Sequence, residues 1–190
     1  MNAYSVTSRR SISSVRLERL EFSFMGSTLD LLIRLIRVEV EFVVVGGVAG
    51  VLHGSSLVTQ DIDVCAPLTR ENLARILSAL RDLSPRFRMT PEKRALPEDV
   101  ATLVGYRNLY LITDWGQIDI LSEITGIGDY PEVARHAIHV SIGGADCRVL
   151  ALDTLIQAKK ALNLPKDRQA ILELEAIRER LSRSRPNGTN

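Results

Sequence analysis

The chain has 190 residues, 45% hydrophobic and 25% charged, with a formal net charge of +1. This is enough sequence for one globular core, and so even a charge balance excludes a global pull toward nucleic acid or an anionic membrane, leaving any polyanion site local. Two distant cysteines, Cys65 and Cys147, exclude a zinc cluster or a disulfide framework and read as small buried hydrophobes in a reducing cytoplasm.

Residues 1–24 read as a flexible leader. Met1 to Arg16 is rich in serine and arginine and contains no acid, a loose likeness to an organellar transit peptide, but the plainer reading is a floppy or mis-started leader with Met25 as a second start. Thr28 to Val38 has the spacing of a helix, with Leu29, Leu32, Ile33 and Ile36 as its apolar side and Arg34 and Arg37 opposite. Glu41 to Val45 reads as a buried strand ending at Gly46-Gly47, and Val48 to His53 as a short helix ending at Gly54. The longest apolar run, Phe42 to Leu52, is too short to cross a bilayer, which takes roughly 20 residues.

Gln60 to Ala66 is a second strand, and Thr69 caps a helix running to Leu83 with Leu73, Ile76, Leu77 and Leu80 as its stripe. Ser84 to Val104, with three prolines, reads as irregular with one strand near Phe87. Asn108 to Thr113 and Gln117 to Ser122 form a hairpin across Asp-Trp-Gly, and Tyr130 to Ala137 a short helix. Ile138 to Ile142 pairs with Cys147 to Leu150 across Gly-Gly-Ala-Asp. Leu152 to Leu162 and Lys166 to Leu181 are helices broken at Leu164-Pro165, and residues 183–190 a disordered tail. The expected organisation is a core over 25–150 with C-terminal helices over 151–182 packed on it. The expected class is α/β (α+β): a mixed sheet flanked by helices, without the regular alternation of a doubly wound fold.

The glycines open the functional question. A strand ending in Gly46-Gly47 and entering a helix offers backbone N–H groups to an anion, though a plain tight turn uses the same residues. A Walker loop is excluded because no lysine follows Gly54, and a dinucleotide fingerprint because Val45 stands at its first glycine. An NAD-dependent oxidoreductase is therefore set aside.

Asp61 and Asp63 share one face of their strand, while Ile62 and Val64 share the other; same-face neighbours lie roughly 7 Å apart. Two unpaired carboxylates beside a core repel each other and cost several kcal/mol each to desolvate. A hard divalent cation such as Mg²⁺ removes both penalties, whereas a wet edge strand would avoid them. Asp119, in GQIDILSE, repeats the pattern of an acid inside an apolar strand, and a neighbouring strand would bring it beside the other two. Three carboxylates near a helix N-terminus fit metal-assisted phosphoryl transfer. His53, His136 and His139 lack metal-ligand spacing and read as structural; Trp115 reads as turn packing.

GGVAGVLHG, then TQDIDV, then a distal QIDIL, resembles the DNA polymerase β-like nucleotidyltransferase superfamily. Within it, HGSS…TQDIDVC, TRENL and the terminal AKKA…PKD resemble the bacterial abortive-infection (AbiEii/AbiGii-type) nucleotidyltransferases, which include toxins of toxin–antitoxin systems. The likeness runs from about Leu32 to Ile177. It implies transfer of an NMP from an NTP to an acceptor hydroxyl, such as a tRNA 3′ end or a protein, with Mg²⁺ or Mn²⁺ as cofactor. It further implies a cognate antitoxin as partner and no membrane.

By the same resemblance Asp61, Asp63 and Asp119 would bind metal and act in catalysis. Gly46 and Gly47 would contact the triphosphate, with Ser55, Ser56 and Thr59 lining the pocket, and Lys159 would reach the phosphates as a point charge. Lys166 and Asp167 match the group's Lys-Asp pair and read equally as a cap and a solvated charge; Lys160 reads as surface. Relatives often carry arginine where this chain has Leu57 and Leu164. That departure leaves a non-catalytic NTP- or partner-binding module as the alternative.

Overall fold

The computed structural model describes residues 27–59 and 61–184. The expected leader, Gln60 and residues 185–190 of the expected tail lie outside the described residues. The architecture is α/β. A seven-stranded mixed sheet has the order β3 (Arg86–Phe87), β4 (Asn108–Thr113), β5 (Gly116–Leu121), β2 (Asp61–Cys65), β1 (Val43–Val45), β9 (Ala145–Leu150) and β8 (Ala137–Ile142), and two helices at the C-terminal end complete it.

The first helix, α1 (Ser27–Arg37), buries Leu31, Leu32 and Leu35. This corrects the expected stripe. Apolar residues fill so much of α1 that two faces were available, and packing selected the one with three leucines. Arg34, expected in solvent, instead reaches the Ala79 carbonyl and Asp82 and lies over the Trp115 ring at 5.3 Å. That contact also gives Trp115 its packing partner at the hairpin tip.

Strand β1 (Val43–Val45) has all three valines buried, as a strand covered on both faces requires. It pairs antiparallel with β2 (Asp61–Cys65) and parallel with β9 (Ala145–Leu150). Between β1 and β2 the chain forms α2 (Gly46–Leu52), which starts two residues earlier than expected because both glycines join its first turn. Helix α3 (Arg70–Leu80) begins at Thr69, whose hydroxyl accepts from the Asn72 N–H. It passes into a 3₁₀ turn at Arg81–Leu83, so the expected long helix is two pieces.

The short edge strand β3 (Arg86–Phe87) pairs with β4 (Asn108–Thr113), which forms the expected hairpin with β5 (Gly116–Leu121). A two-stranded ribbon, β6 (Glu123–Ile124) and β7 (Gly128–Asp129), leads into α4 (Tyr130–Arg135). The hairpin of β8 (Ala137–Ile142) and β9 turns on Gly143-Gly144 alone, tighter than the four residues expected. Both glycines have positive φ, 57° and 82°, which suits a two-residue primed turn.

Helix α5 (Leu152–Leu162) ends at Asn163 in the left-handed region; a 3₁₀ turn at Pro165–Asp167 then leads into α6 (Arg168–Arg183). Helices α2, α5 and α6 form one group: α2 packs on β2 and α5, and Leu174 of α6 approaches the Gly50 backbone. One hydrophobic cluster includes residues from Leu31 to Ile177. No helix among the described residues is long and apolar enough to cross a membrane.

Candidate active site

The sheet register builds the site. Strand β2 lies between β1 and β5, in the interior of the sheet rather than at a wet edge. It pairs in parallel with β5, with Asp63 opposite Asp119 and Asp61 opposite Gln117. Ile62 and Val64 point into the core with Ile118 and Ile120, so the aspartates emerge together on the opposite face. One carboxylate oxygen from each of Asp61, Asp63 and Asp119 lies within 4.8 Å of the others.

These carboxylates open on a cleft of about 490 Å³, within the usual size of a small-molecule site. Gly46, Gly47, Thr59, Arg88, Lys159 and Lys166 line it as well. A smaller hollow of about 220 Å³ between Leu77 and Glu98 holds none of the carboxylates.

Gly46 turns the chain from β1 into α2 with φ +61°, a conformation glycine adopts without strain. Even without that constraint no side chain would fit, since a Cβ there would stand 2.0 Å from Asp63 Oδ2. At Gly47 a Cβ would stand 2.5 Å from Thr59 Oγ1. The Gly47 N–H is directed at Asp63 itself. Thr59 Oγ1 donates to Asp61 Oδ1 at 2.9 Å, fixing that carboxylate. The paired glycines thus let the backbone close against Asp63 and against Thr59, the residue that holds Asp61.

Burial, followed by repulsion from Asp61 and then Asp119, pushes the Asp63 carboxyl up to about 6. The Gly47 N–H and Lys159 offset part of this. Burial also raises Asp119, opposed by Arg88. A cluster of acids held together against its own repulsion suits a divalent cation, and an all-carboxylate donor set suits Mg²⁺ or Mn²⁺.

Arg88, just beyond β3, was not singled out from sequence. Its Nε donates to Asp119 Oδ1 at 3.1 Å and its Nη2 to Asp119 Oδ2, a two-point ion pair. The guanidinium also lies over the Tyr110 ring, 5.5 Å from its centroid. The available signal was indirect: a carboxylate as buried as Asp119 requires a cationic partner, and the strand expected near Phe87 carries one.

The other expected residues divide. Lys159 lines the cleft, but its Nζ donates to Asp167 Oδ1 at 2.7 Å, both side chains nearly buried. Asp167 is therefore a buried counter-ion and not a solvated charge. Ser55 lines the cleft, yet its hydroxyl donates to Glu173 Oε2 at 2.8 Å. Ser56 N and Oγ both reach Glu173 Oε1 at 2.7 Å, and Ser56 does not line the cleft. These serines tie the loop after α2 to α6, and the bonds hold the Glu173 carboxyl below its ordinary range. Leu57 and Leu164 line the cleft. Lys160 pairs with Glu175 on the surface, and His53 Nε2 lies 2.8 Å from the Leu150 carbonyl oxygen.

No family model matches the sequence, and no curated protein matches it significantly. Solved structures sharing part of its chain path include a candidate nucleotidyltransferase from Thermotoga maritima, at 19% identity over 92% of this chain and 98% of that one, TM-score 0.44. Another is an antigenic nucleotidyltransferase-like protein from Paracoccidioides brasiliensis, at 14% identity over 89% of each chain, TM-score 0.47. At such similarity the function has to be read from the chain's own site.

Proposed function

We propose that the chain is a metal-dependent nucleotidyltransferase that moves an NMP from an NTP to an acceptor hydroxyl. The observation that carries this reading is the convergence of Asp61, Asp63 and Asp119 in the cleft that Gly46 and Gly47 also line. Asp61 and Asp63, with Asp119, would hold Mg²⁺ or Mn²⁺. When bound, the cation supplies charge neutralisation and polarises the phosphoryl group.

The chain's own residues do the rest. Gly46 and Gly47 line the cleft that would take the triphosphate and let the backbone close on Asp63 and Thr59, and Thr59 fixes Asp61. Ser55 and Ser56 set the loop wall through Glu173. Lys159, paired with Asp167, lines the side of the cleft where the phosphates would lie. The acceptor oxygen forms a bond to the α-phosphorus as the bond to the β-phosphate oxygen breaks. Pyrophosphate leaves with that electron pair, and Asp119 orients the hydroxyl and takes its proton. Following the motif resemblance, the acceptor is an RNA 3′ end such as tRNA, or a protein hydroxyl, and the chain acts as a toxin with a cognate antitoxin.

The test is transfer of label from each α-³²P NTP to pooled tRNA or to protein, with Mg²⁺ or Mn²⁺. Asp61→Asn and Asp119→Asn should abolish transfer while leaving the circular dichroism spectrum unchanged; undiminished labelling in Asp61→Asn refutes the proposal. A second reading, an NTP-binding module without turnover, is favoured by the Arg88 pair on Asp119 and by Leu57 and Leu164 in the cleft. Saturable NTP binding with no labelled product from the wild type would select it.

A further inference from the structure

The Arg88–Asp119 pair has the form of a contact made to be exchanged. The Asp119 side chain is 8% exposed, whereas that of Arg88 is 27% exposed and lines the same cleft as Gly47 and Lys159. Its two donors occupy both Asp119 oxygens, the atoms a cation would need. Besides Asp119, the polar contact of its guanidinium among the described residues is a weak one to Met89 Sδ at 3.8 Å, and Tyr110 supports one flat side. Lys159, by contrast, is committed to buried Asp167. Arg88 is thus the cleft guanidinium whose fork geometry matches a phosphate as well as it matches a carboxylate.

We propose that Arg88 is a phosphate-binding residue that transfers from Asp119 to the incoming polyphosphate, freeing Asp119 for the cation. This rests on reading the cleft as a nucleotide site. Polyphosphate and cation then bind with positive coupling, since each displaces the same ion pair, and linkage makes that coupling reciprocal. Before polyphosphate arrives, the third carboxylate is closed.

The test uses inorganic tripolyphosphate in EDTA, so that neither a base nor a metal contributes, with affinity measured by calorimetry. Asp119→Asn releases Arg88 and should tighten tripolyphosphate roughly tenfold, a coupling of ordinary allosteric size. Arg88→Gln should weaken it roughly fivefold, and in the double variant the gain from Asp119→Asn should vanish. If Asp119→Asn gives the same gain with and without Arg88, only a repelling charge has been removed and the exchange is overturned. Mn²⁺ binding without polyphosphate, followed by electron paramagnetic resonance, should tighten about tenfold in Arg88→Gln; an unchanged affinity also overturns it. If wild type binds neither tripolyphosphate nor any NTP, even with Mn²⁺, the nucleotide reading itself falls. Binding without the Arg88-dependent gain defeats the exchange alone.

Discussion

Asp63→Asn should stabilise the metal-free protein while removing a candidate metal ligand. Burial and two neighbouring carboxylates raise the Asp63 carboxyl from 3.8 to about 6, and a displacement of that size corresponds to about 3 kcal/mol. Because its pKa is higher in the folded chain, ionisation works against folding. Below about pH 4 the carboxyl is protonated in both states and contributes nothing. Between about 4 and 6 the unfolded chain gives up its proton first, so stability falls as pH rises; above about 6.5 the full penalty is present. Asparagine has nearly the same shape, keeps an oxygen for the Gly47 N–H and carries no charge. Allowing for the partial exposure of Asp63, the gain at pH 8 should be about 1–3 kcal/mol, or about 3–10 °C in melting temperature for a chain of this size. Calorimetric melts in EDTA from pH 4 to 8 would measure it, and the gain should shrink toward zero at pH 4. Mn²⁺ should then raise the wild-type melting temperature but not that of the variant. A variant no more stable than wild type at pH 8, or a gain that does not vary with pH, would refute the account of the acid cluster as a strained site.

Gly46→Ala combines a left-handed backbone with a Cβ 2.0 Å from Asp63 Oδ2; it should cost about 1–3 kcal/mol and abolish Mn²⁺ binding, and wild-type melting with intact binding would contradict the close approach. Lys159→Met should cost about 3–5 kcal/mol by leaving buried Asp167 without its cation, and adding Asp167→Asn should recover most of it in urea unfolding. A Lys159→Met variant as stable as wild type would mean that the lysine is free for ligand alone. Glu173→Gln should loosen the loop of Ser55 and Ser56, read as faster amide exchange there. Since the Glu173 carboxyl is held below its ordinary 4.5, its contribution is present at pH 7 and lost as pH falls below that value. The variant and wild type should converge as the pH falls from 4.5 through the lowered Glu173 value.

Much of the site was legible because each acid carries its strand context with it. Asp63 and Asp119 each stand between two β-branched residues and Asp61 precedes Ile62, and a two-residue period places such an acid opposite its apolar neighbours. Gly46 and Gly47 were legible as a turn, but the Cβ-free approach to Asp63 and Thr59 is a through-space fact. Arg88 was not legible, because it follows a two-residue strand in an irregular segment and acquires meaning only from β4 and β5 beside it. Ser55 lines the cleft and Ser56 does not, and both hydroxyls are directed at Glu173, more than a hundred residues later in the chain.

By itself the sequence determined most of the element types, the α/β class and the three acids of the candidate site. Those follow from local periodicity, turn residues and the cost of burying charge. The tertiary structure decided pairing. It set Asp63 beside Asp119 through the parallel register of β2 and β5, closed Arg88 over Asp119, and matched Lys159 with Asp167. The physical reason is range. Side-chain alternation and helix periodicity act within a few residues, whereas ion pairing and strand register depend on distances in space that no single segment encodes.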